Sequence, residues 1–232
     1  MDTKKPSSRD LIITALKDKA CTKQKIYQNT VEVFNNLKVI LKEIAEDLEK
    51  EMQIVDKSVG INYMDKGEFE AEIKFGGDIL IFSMHTNVFY IEEPHFIHNT
   101  KYVKQDSSLA YCGMIQVFNF LADSLKYNRY QDIGYMVGRL FVNKENHFFV
   151  EGKRQLGYLY NDFSKLVLDK EHIKAVIESA ILYTINFDLL TPPYEEVKQI
   201  TLLQKIEQRD ANAMKTGKRL GFKFQADTDY IA

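Results

Sequence analysis

Two consecutive apolar patterns joined by a pair of glycines constrain the fold of this chain more than any other feature. Residues 68–75 alternate charged and apolar side chains, which is typical of a strand with one buried face. Residues 78–91 are apolar on both faces over much of their length, which predicts a strand deep in a sheet that helices cover. Gly76 and Gly77 lie between the runs and favour a tight turn, because glycine tolerates positive φ. The sequence therefore predicts a fold built around a sheet with a solid core.

Length and composition limit the domain organisation and the classes of function. A chain of 232 residues fits one large domain, or one domain with a helical appendage. Its 15 Phe and 13 Tyr can fill a substantial core, although the chain has no Trp. The formal net charge of −2 creates no overall field for nucleic acid or for an anionic membrane, so we expect neither as a partner.

The cysteines and the N-terminal residues indicate a cytoplasmic protein. Cys21 and Cys112 have no CxxC spacing, which excludes a cysteine-based zinc knuckle and a disulfide-dense secreted scaffold. Residues 1–10 are polar and lack the apolar core of a signal peptide. No window reaches the roughly 18 uninterrupted apolar residues of a membrane span, so we expect none.

A long amphipathic helix is predicted over residues 22–52. Thr22 is a suitable N-cap, and no Gly or Pro follows before Gly60. Two apolar stripes run side by side along this segment and make one wide face. The first consists of Ile26, Thr30, Val33, Leu37, Ile40 and Ile44, and the second of Val31, Phe34, Leu41, Ala45, Leu48 and Met52. Such a helix can pack both stripes on the sheet, or it can offer one of them to a protein partner or to a second copy in a homodimer.

The middle of the chain is predicted to contain a buried helix and then a hairpin. Residues 107–127 are apolar around most of a helical circumference, which predicts a central and largely buried helix. Residues 135–142 and 147–150 predict a β-hairpin around the turn 143–146.

The C-terminal part is predicted to be helical. A helix with Asp169 as its N-cap extends to about residue 189, and Pro193 lies in the first turn of a last helix that ends near Gly217. The tail that follows carries Phe222 and Phe224 in alternation with basic residues.

Together these elements predict an α+β fold. It consists of a single antiparallel β-sheet of about five or six strands, packed by the long N-terminal helix, the buried central helix and the C-terminal helices. Residues 1–7 are expected to form a disordered lead, residues 8–216 a single α+β domain, and residues 217–232 a tail or an edge strand.

One set of residues has the composition of a magnesium-dependent nuclease site. Glu151 and Lys153 are two residues apart on a predicted strand and therefore share a face, and Asp132 lies 19 residues upstream of Glu151. This arrangement resembles the restriction-endonuclease-like nuclease pattern, in which two carboxylates hold Mg²⁺ and a lysine assists the attacking water. The usual Pro before the Asp is missing. The same Glu-x-Lys spacing also occurs at Glu72 and Lys74, as a solvated outer strand face would produce.

A second set consists of histidines that can bind a metal. His95 and His98 form an H-x-x-H pair beside Glu92 and Glu93. Residues at i and i+3 of an extended segment point to opposite faces, so the two rings converge on a metal only if a turn lies between them. Without such a turn they are ordinary loop histidines.

A third set consists of aromatic residues that can line a ligand cavity beneath the sheet. Its members are Phe89, Tyr102, Tyr111 and Tyr135. Aromatic side chains at such positions are equally typical of an ordinary core.

The sequence therefore favours a non-catalytic cytoplasmic module that binds a small ligand or a protein, as regulatory and sensor proteins do. A homodimer through the 22–52 helix is the expected assembly, and no cofactor is expected. The alternative is a metal-dependent hydrolase or nuclease that uses Asp132, Glu151 and Lys153 with Mg²⁺.

Overall fold

The computed structural model describes residues 7–153, 155–187, 191 and 193–213. The strands are β1 (Ile61–Asp65), β2 (Glu70–Phe75), β3 (Asp78–Met84), β4 (Phe89–Tyr90), β5 (Tyr111–Leu121), β6 (Tyr135–Val142) and β7 (Phe148–Gly152). The α-helices are α1 (Ser8–Ala15), α2 (Cys21–Val55), α3 (Lys101–Gln105), α4 (Ala122–Lys126), α5 (Gln155–Leu159), α6 (Lys170–Ile185), α7 (Tyr194–Val197) and α8 (Leu202–Ala213). A π-helical turn covers Leu16–Ala20, and 3₁₀ turns cover Phe96–Asn99 and Ser107–Ala110.

The strands form one antiparallel sheet, which confirms the predicted α+β class. The strand order is β1-β2-β3-β5-β6-β7, and the short β4 pairs with the start of β5. The first of the two runs joined by glycines contains β2, and Phe75 pairs with Asp78 of β3 across the turn. The prediction of one strand over 78–91 is wrong, because β3 ends at Met84 and residues 85–88 separate it from the short β4. Gly76 in this turn has a φ of 57°, a left-handed conformation that glycine adopts without strain.

The prediction of a buried helix over 107–127 is wrong, because the centre of this segment is strand β5. This strand pairs with β3 on one side and with β6 on the other. A segment that is apolar on all sides fits a fully buried strand as well as a buried helix, and periodicity alone does not separate the two. Only the ends of the segment are helical, as the 3₁₀ turn before β5 and the short α4 after it.

The N-terminal helix begins earlier than the sequence predicts. Its helical backbone continues from α1 through the π-helical turn into α2. Ser7 caps it, since Ser7 Oγ accepts a hydrogen bond from the Asp10 N–H at 3.2 Å. Thr22 is therefore not an N-cap. It lies inside the helix, where its Oγ1 donates to the Asp18 carbonyl at 2.8 Å.

Helices α2 and α6 cover one face of the sheet and form the main core with it. The buried residues of α2 come from both predicted stripes, with Leu37 and Ile40 from the first and Phe34 and Leu41 from the second. They pack with alternate residues of β2, β3, β5, β6 and β7. Because both stripes contact the protein's own sheet, a partner of the 22–52 helix would have to use residues outside them. The homodimer itself stays a prediction.

The opposite face of the sheet is covered by other parts of the chain mainly at the end that contains β6, β7 and the start of β5. There the segment 91–110 folds back over the start of β5 and over β6 and β7, and Phe163 completes the cover. The buried residues of this second cluster are Ile97, Val103, Leu109, Ala110, Cys112, Met114, Phe141, Phe149 and Phe163. The other end of this face, along β1, β2 and β3, is flanked by α4 and contains a cleft.

The C-terminal helices follow the prediction in part. Asp169 is the N-cap of α6, because its Oδ1 accepts a hydrogen bond from the His172 N–H at 2.8 Å. The predicted last helix is divided into α7 and α8. Residues 1–6 of the predicted lead and residues 217–232 of the predicted tail lie outside the described residues. Within the described part of the chain, no helix has the length and apolarity needed to cross a bilayer.

Candidate ligand-binding cleft

A cleft of about 740 Å³ lies on the second face of the sheet, beyond the end that segment 91–110 covers. Its apolar lining consists of Met64, Ile79, Leu121 and Leu125. Its charged lining consists of Lys66, Glu72, Lys74, Asp123 and Lys126. Small-molecule sites typically enclose about 300–1,000 Å³ and combine apolar walls with a few polar groups. In both size and composition the cleft falls within this class.

Strand alternation produces the floor of the cleft. In β2, Ile73 and Phe75 point into the main core, so Glu72 and Lys74 point to the opposite face. Register places Met64 of β1 beside Glu72, and Ile79 of β3 beside Lys74. Charged and apolar side chains therefore alternate across neighbouring strands on this floor.

The end of β5 and helix α4 form the wall of the cleft. The Ala122 N–H donates a hydrogen bond to the Gly77 carbonyl at 2.9 Å, which ties the start of α4 to the β2–β3 turn. Leu121 and Leu125 then line the cleft with apolar surface, while Asp123 and Lys126 add one charge of each sign. This backbone hydrogen bond therefore fixes the position of the wall, and the wall offers both apolar and charged side chains to the cleft.

Glu72 is the most unusual residue of the cleft, because a carboxylate is almost completely buried there. It is 2% exposed. Lys66 Nζ lies 3.2 Å from Glu72 Oε2, yet the pair lacks hydrogen-bond geometry, and Oε2 makes no hydrogen bond with a described residue. Removing an ionised carboxylate from water costs several kcal/mol unless hydrogen bonds and a counter-ion compensate. One partly exposed lysine is a weak compensation, so Glu72 has unused capacity to accept hydrogen bonds.

The remaining cations of the cleft, Lys74 and Lys126, form no ion pair with the part of the chain that the structure describes. Within the described residues, neither Lys74 nor Lys126 lies within 4 Å of a carboxylate oxygen. Lys126 instead stands over the ring of Tyr127, 5.1 Å from its centroid. Hydrogen bonds from Gln53 and from the Ile61 backbone lower the pKa of Glu49, and Lys74 adds a smaller electrostatic contribution in the same direction. Both ammonium groups can therefore contact an acidic group in the cleft.

A second polar cluster lies beside the apolar cover of the same sheet face. His95 Nε2 is 3.2 Å from Glu151 Oε1, and Arg139 forms an ion pair with the other oxygen of Glu151. The His95 ring packs against Phe96 and Phe149, with centroids 4.6 Å and 5.1 Å apart. The His95 Nδ1 is buried without a hydrogen bond to a described residue. This cluster joins the covering segment to strand β7.

The three residues of the predicted nuclease site have different hydrogen-bond partners, and the site itself stays a prediction. Glu151 lies opposite Arg139 in the middle of β6. Asp132 precedes β6 by three residues, and it accepts hydrogen bonds from Ser124 Oγ at 2.5 Å and from Arg129 at 2.9 Å. The start of β6 is about 13 Å from Arg139 along the strand, so Asp132 lies beyond one end of β6 while Glu151 lies beside its middle.

The Lys153 backbone and the two histidine rings are hydrogen-bonded to other residues. The Lys153 N–H donates to the Val137 carbonyl at 3.4 Å. His98 donates from Nε2 to the Ile91 carbonyl at 2.6 Å, while His95 is directed to Glu151. Among the described residues, no three or more His, Cys, Asp or Glu side chains are grouped so that they could hold a metal ion.

The four aromatic residues of the predicted ligand cavity are dispersed over the sheet. Phe89 and Tyr102 belong to the cover of the second face, where Tyr102 stacks on His147. Tyr111 begins β5, and Tyr135 lies opposite Asn119 near its other end. Eight residues of strand separate these two positions, which corresponds to about 26 Å. The four rings therefore do not line one cavity.

Sequence reasoning missed the cleft, although one of its signals was visible. Glu72 and Lys74 have the same two-residue spacing as Glu151 and Lys153, and both pairs fit a solvated strand face equally well. Glu72 differs from Glu151 because it is almost completely buried beneath Lys66. This burial depends on the packing of β1, β2 and α4, which the sequence spacing does not reveal.

Comparisons with known proteins do not indicate a family or a function for this chain. No protein-family model, no curated protein and no solved structure matches the chain.

Proposed function

We propose that this protein is a cytoplasmic, non-catalytic module that binds a small organic molecule in the cleft between β1–β3 and α4. The single observation that carries the proposal is the buried carboxylate of Glu72 on the floor of a cleft of about 740 Å³. A cleft with apolar walls and a few convergent polar groups is the usual form of a small-molecule site.

Energetics supports a ligand at this position. A solvated strand face needs no buried charge, and a valine or leucine at position 72 would avoid the cost of desolvating a carboxylate. A buried polar atom without a hydrogen bond is uncommon in folded proteins, and a ligand in the cleft would explain the one at Glu72 Oε2. A ligand that donates hydrogen bonds to Glu72 would compensate this cost.

The hydrolase alternative has less support in the geometry. A two-carboxylate metal site needs its oxygens to converge on one ion. Asp132 is bonded to Ser124 and Arg129, and Glu151 is bonded to His95 and Arg139. We therefore favour a ligand-binding function over a metal-dependent hydrolase.

The proposal is tested by a thermal-shift screen of a fragment library on two variants. Leu125→Arg places a long side chain in the cleft, and Leu182→Arg makes the same change on α6, outside it. Both leucines are exposed, at 36% and 55%, so neither change disturbs the core. We expect a subset of fragments to raise the melting temperature of the wild type and of Leu182→Arg but not of Leu125→Arg. Fragments that stabilise all three proteins equally, or none of them, would contradict the proposal.

A further inference from the structure

We propose that the ligand of the cleft is a zwitterion with an apolar side chain, namely an amino acid or a short peptide. Its ammonium group would replace the Lys66 ammonium at Glu72, and its carboxylate would contact Lys74 or Lys126. This inference rests on the proposed function of the cleft and specifies the chemical class of the ligand.

The position of Lys66 shows which chemical group Glu72 accepts. The Lys66 ammonium lies 3.2 Å from Glu72 Oε2, so a primary ammonium fits beside this carboxylate. Lys66 follows the end of β1, and its side chain is 40% exposed, whereas Glu72 is almost completely buried. The lysine can therefore swing into solvent while the carboxylate stays in place. A ligand ammonium with good hydrogen-bond geometry would use the acceptor capacity that Lys66 leaves unused.

The other charges of the cleft favour a zwitterion over a simple amine. Once Lys66 has moved out, the lining keeps two cations, Lys74 and Lys126, and two anions, Glu72 and Asp123. A bare amine would lie close to both lysines, and a bare acid would lie close to Glu72. A zwitterion pairs each of its charges with an opposite one, because its ammonium and carboxylate are separated by only a few bonds.

The apolar lining provides a place for a side chain. Ile79 is on the floor of the cleft, and Leu121 and Leu125 are on its wall, next to the charged groups. The volume of about 740 Å³ exceeds that of the charged end of an amino acid alone. A hydrophobic residue, free or at the start of a short peptide, fits this combination of charges and apolar surface.

Three related probes distinguish the parts of the ligand. Phenylalanine has both charges, N-acetylphenylalanine lacks the ammonium, and phenethylamine lacks the carboxylate. In titrations followed by two-dimensional NMR, we expect phenylalanine to bind at least about tenfold more tightly than either analogue, the effect of losing one hydrogen-bonded charge. Equal or tighter binding of an analogue would overturn the inference.

Two variants of one ion pair are expected to change the binding in opposite directions. Glu72→Gln should abolish the preference for phenylalanine over N-acetylphenylalanine. Lys66→Gln, a change at an exposed residue, should tighten phenylalanine binding several-fold, because it removes the competing ammonium. A purely structural ion pair predicts no tightening, so unchanged or weaker binding to Lys66→Gln would overturn the inference even if Glu72→Gln fails to fold.

The outcome also separates this inference from the proposed function. If library fragments bind in the cleft but phenylalanine does not, the zwitterion is wrong and the binding function stands. If neither phenylalanine nor any fragment binds there, both are wrong.

Discussion

His95 Nε2 lies 3.2 Å from Glu151 Oε1, and this contact joins the segment that covers the second sheet face to the last strand. The two residues are 56 positions apart in the chain. Arg139 holds the second oxygen of Glu151, so the carboxylate is oriented from both sides. The cover of segment 91–110 is therefore attached by a polar contact as well as by the apolar cluster beneath it.

Replacing His95 is expected to loosen this cover. His95→Ala removes the contact with Glu151 and the packing on Phe96 and Phe149, and we expect a loss of about 1–2 kcal/mol in the free energy of unfolding. Hydrogen–deuterium exchange should become faster in residues 91–110 and stay unchanged in α6. The matched control is His172→Ala, which removes another histidine–carboxylate contact, with Asp169. If residues 91–110 exchange in His95→Ala as slowly as in the wild type, the His95–Glu151 contact does not hold the cover.

The close approach of α2 to β5 depends on Gly113. A Cβ atom at this position would lie 1.9 Å from Thr30 Oγ1, and Thr30 is completely buried. We expect Gly113→Ala to destabilise the protein by about 2–3 kcal/mol in urea unfolding, because the overpacked core must shift. Gly60→Ala is the control, since nothing lies within 4 Å of its added Cβ.

A double variant tests whether Thr30 is the cause. Thr30→Ala removes Oγ1 and Cγ2, two of the three Thr30 atoms that clash with the added Cβ, so it should recover part of the stability lost in Gly113→Ala. Strictly additive effects of the two changes would mean that another contact is responsible.

The β6–β7 turn depends on the side chain of Asn143, which is completely buried. Its Oδ1 accepts hydrogen bonds from the Glu145 and His147 N–H groups at 2.9 Å and 3.0 Å, and its Nδ2 donates to the Tyr102 hydroxyl at 3.0 Å. Asn143→Ala leaves these groups without partners, so we expect a loss of about 2–3 kcal/mol. Tyr102→Phe removes one of the three Asn143 bonds, together with the exposed bond from the Tyr102 hydroxyl to Glu145, and should cost about 1 kcal/mol. Equal losses in the two variants, measured by chemical unfolding, would contradict this account.

The stability of the fold is expected to decrease in acid partly through Asp106. Hydrogen bonds from Lys144 and Ser108 lower the pKa of Asp106 from 3.8 to about 2. Because the folded-state pKa is the lower one, this carboxylate stabilises the fold above about pH 4. The contribution is lost as the pH falls towards 2. Asp106→Asn should therefore flatten the decrease of the unfolding free energy between pH 4 and pH 2, and an unchanged slope would exclude this role.

The sequence predicts the centre of the fold because its signals there are local. The alternation over 68–75, the apolar run after it and the glycines between them are sufficient to predict the β2–β3 hairpin. Asp169 is predicted as a cap because a capping side chain bonds a backbone group three residues away. The helix predicted over 107–127 fails because burial on both sides removes the alternation that would identify β5.

The candidate site is harder to predict because it depends on contacts between distant elements. Glu72 and Lys74 share a strand face by spacing alone, but the burial of Glu72 depends on Lys66 and on the position of β1. Likewise, Glu151 is recognisable as a candidate residue in the sequence, while its partner His95 belongs to a segment 56 residues earlier. Spacing within an element is visible in the sequence, and pairing between elements is not.

Methyl NMR of the labelled wild-type protein, titrated with the fragments that stabilise it, tests the central claim most directly. We expect shift changes at the methyl groups of Ile79, Leu121 and Leu125, which line the cleft. Shift changes confined to exposed methyl groups elsewhere, such as those of Leu11 and Ile12 on α1, would contradict it.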